Sequence, residues 1–164
     1  MIILGIDPGL ATLGYGVVSY DGNRITPVDY GILSTPAKVP LPRRLVMLYE
    51  GVSELAMRHQ PDDIALEELF FSKNVTTGIA VGHARGAAIV ALRQYSESLY
   101  EYTPMQIKQA VVGYGKADKQ QVQQMVKMLL NLREIPRPDD AADALALAIC
   151  HAHSAKYRAQ YKIQ

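Results

Sequence analysis

The sequence has little of several features, and each shortage narrows what the protein can be. Its 164 residues include a single cysteine, Cys150, which excludes an intrachain disulfide bond and fits a cytoplasmic setting. The N-terminus enters an apolar run without a basic leader, so no signal peptide is expected. The most apolar long stretch, 75–92, contains His83, Arg85 and three glycines, which favours a buried helix over a membrane span.

Neither sign of charge is in clear excess, since the formal net charge is +1, but the charges are unevenly distributed. Residues 104–137 carry six lysines and arginines against two acids, and residues 156–164 add three basic residues and no acid. A basic segment beside an acidic cluster suits a polyanion held over bound metal. Solvated helix faces are the alternative explanation, and charge alone favours it.

The length and the order of predicted elements indicate one α/β domain, residues 1–155, followed by a basic C-terminal tail, 156–164. A hairpin of antiparallel strands followed by βα units predicts a mixed five-stranded sheet flanked by helices. The ribonuclease H-like fold has this order, with the first strand near the middle of the sheet and the fourth beside it. The predicted strands are 2–7, 14–20, 25–33, 64–67 and 99–102, and the predicted helices lie within about 40–59, 77–96, 104–112, 119–130 and 139–154.

Four carboxylates stand where predicted strands end or the last helix begins. Asp7 ends the first apolar run and Glu67 ends a later one. Asp140 and Asp143 open an alanine-rich helix and share one of its faces, because they are three residues apart. Burying unpaired carboxylates is costly, so acids that converge in apolar surroundings indicate a cation between them. Hard divalent ions such as Mg²⁺ take oxygen ligands, and paired ions drive phosphoryl transfer.

Each of these acids also has a simpler explanation. Asp7 can be a turn residue, and Asp140 can be the N-cap of the last helix, as can Asp139, which is also a rival ligand. Glu68 competes with the preceding glutamate for the inward position, and the alternation along the strand leaves that choice open. The small residues of 141–148 predict that the last helix packs closely on the sheet.

Several short motifs follow one another from residue 2 to about residue 153. They are Ile3-Leu4-Gly5-Ile6-Asp7-Pro8-Gly9, Gly14-Tyr15-Gly16-Val17, Ala65-Leu66-Glu67 with Phe70 and Lys73-Asn74, Ala84-Arg85-Gly86, Lys108-Gln109-Ala110-Val111-Val112-Gly113 and Asp140-Ala141-Ala142-Asp143-Ala144-Leu145-Ala146. In this order they resemble the RuvC family, the Holliday junction resolvases of bacterial recombination and DNA repair.

The resemblance implies a structure-selective, Mg²⁺-dependent endonuclease that makes paired symmetric nicks in four-way DNA junctions and leaves 5′-phosphate ends. It implies two Mg²⁺ ions in each active site, for which Mn²⁺ would substitute. The catalytic metal ligands it implies are Asp7, Glu67, Asp140 and Asp143.

The two phenylalanines of the chain adjoin one strand end and indicate a loop that can contact DNA. Aromatic side chains beside a lysine and an asparagine can stack on unpaired bases, although Phe71 is better explained as a core residue. Lys116 and Arg85 are further candidates for DNA contact. By the resemblance, the DNA-binding residues are Phe70, Lys73, Asn74, Lys108 and Lys119.

Glycines recur at four-residue intervals in the helix predicted over 77–96. Gly78, Gly82 and Gly86 each cost a helix about 1 kcal/mol relative to alanine, so a stripe of three suggests close approach by another backbone. Packing on the protein's own sheet is one explanation. The resemblance implies the other, a homodimer joined through this helix, and it adds branch-migration proteins of the same pathway as partners.

Two other functions are compatible with parts of the sequence. The strand Gly5-Ile6-Asp7-Pro8-Gly9 also opens actin and Hsp70-like ATPases, but those need two lobes and a second phosphate loop, which 164 residues cannot hold. A catalytically silent junction-binding module is the other alternative, and the intact set of four carboxylates argues against it.

Overall fold

The computed structural model describes residues 1–69 and 75–163, where strands and helices follow the predicted order. The strands are β1 (Ile2–Asp7), β2 (Thr12–Tyr20), β3 (Ile25–Ser34), β4 (Asp63–Glu67) and β5 (Leu99–Tyr102). The helices are α1 (Leu41–His59), α2 (Val75–Arg93), α3 (Pro104–Val112), α4 (Lys119–Leu129) and α5 (Asp139–Ser154), followed by a 3₁₀ helix, Ala155–Tyr161. The predicted elements are all present, with ends that differ by a few residues.

The five strands form one mixed sheet in the order β3-β2-β1-β4-β5. β1 pairs antiparallel with β2 and parallel with β4, which in turn pairs parallel with β5. β1 lies in the middle because it is apolar on both faces. Its consecutive residues Ile3 and Leu4 point to opposite faces of the sheet, and both are fully buried. Ile6 is in register with Leu66, so the ends of β1 and β4 lie side by side. The predicted ribonuclease H-like arrangement is therefore confirmed.

Helices cover both faces of this sheet. One apolar core joins α1 and α2 to the face that carries Leu4, and the other joins α3, α4 and α5 to the face that carries Ile3. α2 contributes Ala84, Ala88 and Ala91, whose helical spacing buries them on one side. Within the described ranges, no helix combines the length and the apolar character that crossing a membrane requires.

α5 crosses β1 and β2 at close range because three glycines, Gly5, Gly14 and Gly16, face it. An added Cβ at Gly5 would overlap the carbonyl oxygen of Ala144, and one at Gly16 would lie 2.7 Å from the backbone nitrogen of Leu145. Gly5 and Gly16 are partners in the sheet, so together they leave a shallow groove for the helix. The close packing predicted from the small residues of 141–148 is confirmed.

Side chains cap α3 and α4 but not α5. Thr103 and Asp118 each accept a hydrogen bond from a backbone N–H in the first turn of their helix, and both form capping boxes. The prediction that Asp139 or Asp140 caps α5 is wrong, because Pro138 occupies the N-cap. Both acids instead lie in the first turn, where the partial positive charge of the helix terminus favours them.

The end of the chain lies along the outer edge of β5. Lys162 forms an antiparallel bridge with β5, and the Ile163 N–H donates to the Leu99 carbonyl oxygen at 2.9 Å. Before this, the Arg158 guanidinium donates to the buried Asp63 carboxylate at 2.8 Å. The division of the sequence into a domain and a basic tail stays a prediction.

Candidate active site

Two carboxylates stand at the C-terminal ends of adjacent parallel strands. Asp7 closes β1 and Glu67 closes β4, and both side chains line one cavity of about 250 Å³. Glu68 is not among the described residues of that lining, and its backbone N–H donates to the Tyr102 carbonyl oxygen at 2.9 Å. Of the two glutamates between which the sequence could not decide, Glu67 and Glu68, Glu67 is therefore the one that faces the cavity.

α5 brings a third carboxylate to this cavity and a fourth to a neighbouring groove. Asp143 lines the cavity beside the two strand-end acids. Asp140 lines the adjoining groove with residues 9–12, and its backbone lies against β2 because Gly14 has no side chain in the way. Asp139 lines neither space, and its carboxylate pairs with an exposed arginine at 2.7 Å.

Burial and mutual repulsion favour the protonated form of three carboxylates, those of Asp7, Glu67 and Asp143. Burial first, and then the negative charges of Glu67, Asp143 and Asp140, raise the pKa of Asp7 to about 8. Burial also raises the pKa of Glu67 and that of Asp143. A bound cation would reverse this balance, because it stabilises the ionised forms.

Two lysines line the same cavity. Lys108 belongs to α3, and Lys119 is the first residue of α4. The Lys119 Nζ lies 2.9 Å from an oxygen of Asp143 and 3.6 Å from one of Asp139. Burial works to lower the pKa of Lys119, but the contact with Asp143 outweighs it, and the pKa is raised. Acids and cations therefore meet in one small space, as a reaction at a phosphate group requires.

The donor atoms of the cavity fit a hard divalent cation. Its acidic side chains offer only oxygen, and no histidine or cysteine is among the described lining residues, which suits Mg²⁺ or Mn²⁺. In the described ranges, no three acidic, histidine or cysteine side chains converge closely enough to hold an ion as they stand. Asp143 pairs with Lys119 at 2.9 Å, and burial raises the pKa of Asp7 to about 8, so that its carboxyl keeps a proton at neutral pH. An entering cation has to displace that lysine and that proton.

Three of the predicted DNA-binding residues, Phe70, Lys73 and Asn74, lie outside the described residues. Arg85, a further candidate for DNA contact, has a side chain that is only 15% exposed and bonds within the protein. Sequence reasoning missed this inward role. The sequence signal for an inward arginine was its position in the apolar stretch 75–92, directly after Ala84, which the structure shows to be buried.

Two glycines of the α2 stripe, Gly82 and Gly86, face away from the protein's own core. An added Cβ at Gly82 would meet only the Leu69 side chain, at 3.7 Å, and one at Gly86 would meet no described atom within 4 Å. Ile79 and Val90, on the same side of the helix, are 52% and 55% exposed. Among the described residues, the protein's own sheet therefore does not pack against Gly82 or Gly86.

The chain is similar to known proteins over almost its whole length. The family model described as "Crossover junction endodeoxyribonuclease RuvC" matches residues 3–151. A protein of that name from Alkaliphilus metalliredigens is 55% identical over 100% of both chains, and one from Desulforamulus reducens is 60% identical over 93% of each. The solved structure of Thermus thermophilus RuvC in complex with Holliday junction substrate has a TM-score of 0.92 at 38% identity, over 99% of this chain and 98% of that one. The chain therefore belongs to the RuvC family of crossover junction endodeoxyribonucleases.

Proposed function

We propose that the protein is a structure-selective endonuclease that resolves Holliday junctions in homologous recombination and DNA repair. The observation that carries the proposal is the cavity where Asp7, Glu67 and Asp143 meet Lys108 and Lys119. Relatives over the whole chain are named crossover junction endodeoxyribonucleases, and the Thermus relative was solved with Holliday junction substrate, which supports the choice of substrate. A protein that acts on DNA in bacterial recombination works in the cytoplasm, which is the location we propose.

The residues proposed to hold the metal are the four acids Asp7, Glu67, Asp140 and Asp143. Two Mg²⁺ ions bound there, or Mn²⁺ in their place, would activate water and stabilise the leaving 3′ oxygen, so that 5′-phosphate ends result. To act as a ligand, Asp7 has to lose the proton that burial keeps on it. Lys119 has to leave Asp143, and it can then pair with a phosphate oxygen of the substrate.

Separate groups are proposed to hold the DNA. Lys108 and Lys119, which line the cavity, neutralise phosphate charge near the cleaved bond. Phe70 stacks on an unpaired base near the centre of the junction, and Lys73 and Asn74 contact the strand beside it.

We also propose that two copies associate through α2, with Gly78, Gly82 and Gly86 at the interface. Gly82 and Gly86 leave room for a neighbouring backbone, and the exposed Ile79 and Val90 supply apolar area beside them. A two-fold dimer presents two identical cavities, which matches the paired, symmetric nicks that a four-way junction needs. Branch-migration proteins of the same pathway are the further partners we propose.

Cleavage of a synthetic four-way junction in Mg²⁺ tests the proposal. The wild-type protein should make paired nicks that a ligase can seal, and it should leave a linear duplex of the same sequence uncut. Replacing any one proposed ligand by its amide should nearly abolish cleavage and leave junction binding intact, because binding depends on the basic residues. The variants are Asp7→Asn, Glu67→Gln, Asp140→Asn and Asp143→Asn.

Two neighbouring acids serve as matched controls. Glu68→Gln and Asp139→Asn should keep their activity, because neither side chain lines the cavity. An inactive Glu68→Gln with an active Glu67→Gln would show that the wrong glutamate has been assigned. A wild-type protein that binds the junction in Mg²⁺ without nicking it would instead be a junction-binding module.

A further inference from the structure

One partly buried arginine, Arg85, joins α2 to the ends of two strands beside the active site. Arg85 Nε donates to the Glu67 carbonyl oxygen at 3.2 Å, and Nη2 of the same guanidinium lies 2.5 Å from an oxygen of the Glu101 carboxylate. β4 and β5 are parallel neighbours, so the arginine links the two strands at the end of β4, where Glu67 reaches the cavity.

The bond to the Glu67 carbonyl fixes the backbone that carries a cavity-lining carboxylate. Glu67 is the last residue of β4, and the following N–H, that of Glu68, donates to the Tyr102 carbonyl oxygen in β5. The strand end is thus held from two sides, by β5 and by Arg85. Reactions at metal centres depend on ligand placement to within a fraction of an ångström, so such support bears directly on rate.

We infer that Arg85 is a positioning residue of the active site, which holds the backbone of Glu67 in the geometry that metal binding and cleavage require. This inference rests on the proposed role of Glu67 as a metal ligand. It gives Arg85 no direct contact with the substrate.

The contact geometry explains why an arginine is needed at this position. A guanidinium is a planar fork whose separate N–H groups can bond to a carbonyl and a carboxylate at once. A lysine has one nitrogen and would keep the pairing with Glu101 at the expense of the Glu67 carbonyl. The Glu101 side chain is 35% exposed, so the ion pair by itself adds little, and its effect is to orient the fork.

Arg85→Lys tests the inference, with three measurements on the full-length protein. At a saturating concentration of junction, we expect the single-turnover rate to fall about 10- to 100-fold, while the affinity for the junction stays unchanged. Titration of the metal-free protein with Mn²⁺ should show weaker binding than in the wild type, which a purely structural ion pair would not cause. Glu101→Gln should produce a smaller change in the same direction, because it removes only the orienting partner.

Arg93→Lys is the matched control, since Arg93 lies on the same helix and pairs with Glu97 on the exposed surface at 2.8 Å. It should leave all three measurements unchanged. Wild-type rate and Mn²⁺ affinity in Arg85→Lys would overturn the inference, and so would a rate loss matched by an equal loss of folded or dimeric protein. The proposed function fails separately, when Glu67→Gln retains full activity.

Discussion

Asp7 has an ordinary pKa of 3.8, but in the folded, metal-free protein its pKa is raised to about 8. Between these two values the folded protein holds a proton that the unfolded chain has lost. The contribution of this residue to stability is therefore largest at low pH, declines as the pH rises from 3.8 to about 8, and then levels off. Because one pKa unit corresponds to about 1.4 kcal/mol, even part of this shift is measurable.

Asp7→Asn should therefore stabilise the metal-free protein above pH 8 and have little effect near pH 4, since the amide carries no charge to bury. Chemical denaturation in a chelator at the two pH values measures the difference. Adding Mg²⁺ should reverse the order of stability, because only the wild type gains a full ligand set.

Asp139→Asn is the control of opposite sign. Desolvation raises the pKa of Asp139, but the nearby Lys119 outweighs it and lowers that pKa, so removing this carboxylate should destabilise the folded protein. An Asp7→Asn variant whose stability changes with pH in the same way as that of the wild type between pH 4 and pH 8 would contradict the burial of this proton.

Lys119→Ala and Lys108→Ala should lower the cleavage rate more than the affinity for the junction, because both side chains line the cavity. A lysine that only binds phosphate would instead weaken the complex and reduce its dependence on salt. Single-turnover rates, measured beside affinities over a range of salt concentrations, separate these effects. Lys127→Ala, on the same helix as Lys119 but outside the cavity lining, should leave the rate unchanged. Unchanged rates in both cavity variants would remove these lysines from the site.

At the scale of elements, the site depends on how closely α5 can approach the sheet. Gly5 and Gly16 permit that approach, and it sets the height of Asp140 and Asp143 over the strand ends. The alanine-rich composition of the helix predicts close packing. The matching glycines in two different strands become visible only when the strand register is known, because each one alone reads as an ordinary strand glycine.

Gly16→Ala should destabilise the protein by roughly 1–3 kcal/mol, the usual cost of overpacking. Its Cβ would lie 2.7 Å from the backbone nitrogen of Leu145, and a backbone atom cannot move aside as a side chain can. Activity should fall further than stability, because Asp143 moves with α5. Gly31→Ala is the matched control in the next strand, since the three atoms nearest to its Cβ, at 2.9–3.1 Å, all belong to the far end of the Tyr15 side chain, which can move aside. Thermal denaturation and cleavage assays test both variants, and equal effects would show that α5 is not the limiting contact.

The sequence predicts the strands, the helices and the set of acids well, because apolar runs and caps are local signals. The sequence is less informative about where side chains point at the end of a strand or at the start of a helix. Pro138 at the start of α5 excludes Asp139 as a cap, and the inward turn of Glu67 depends on pairing with β5. The inward bonds of Arg85 likewise depend on how β4 and β5, which precede and follow α2 in the sequence, pair with each other in the sheet. These features follow from tertiary contacts, which no short stretch of sequence contains.

At the scale of the whole molecule, the outer face of α2 is apolar and exposed between Ile79 and Val90. Gly82→Leu should dissociate the proposed dimer and leave the fold intact, since among the described residues an added Cβ there meets only the Leu69 side chain. The expected result is a folded monomer that makes single nicks or none, judged by sedimentation, circular dichroism and the cleavage pattern.

Glu50→Leu adds the same side chain to an exposed position of α1 and should leave the oligomeric state of the wild type unchanged. If Gly82→Leu remains a dimer, the stripe is not the interface. An unfolded Gly82→Leu would show that the helix packs within its own chain after all.

The contact between the end of the chain and β5 has a consequence for how the protein can be shortened. Cutting after residue 155 would leave the β5 edge without its last pairing, and it would take Arg158 from Asp63, a carboxylate only 3% exposed that also bonds to the buried His151. An uncovered strand edge invites pairing with the same edge of another molecule. We therefore expect residues 156–164, which the sequence predicts as a basic tail, to act against aggregation. A shortened protein should precipitate under conditions in which the whole chain stays in solution.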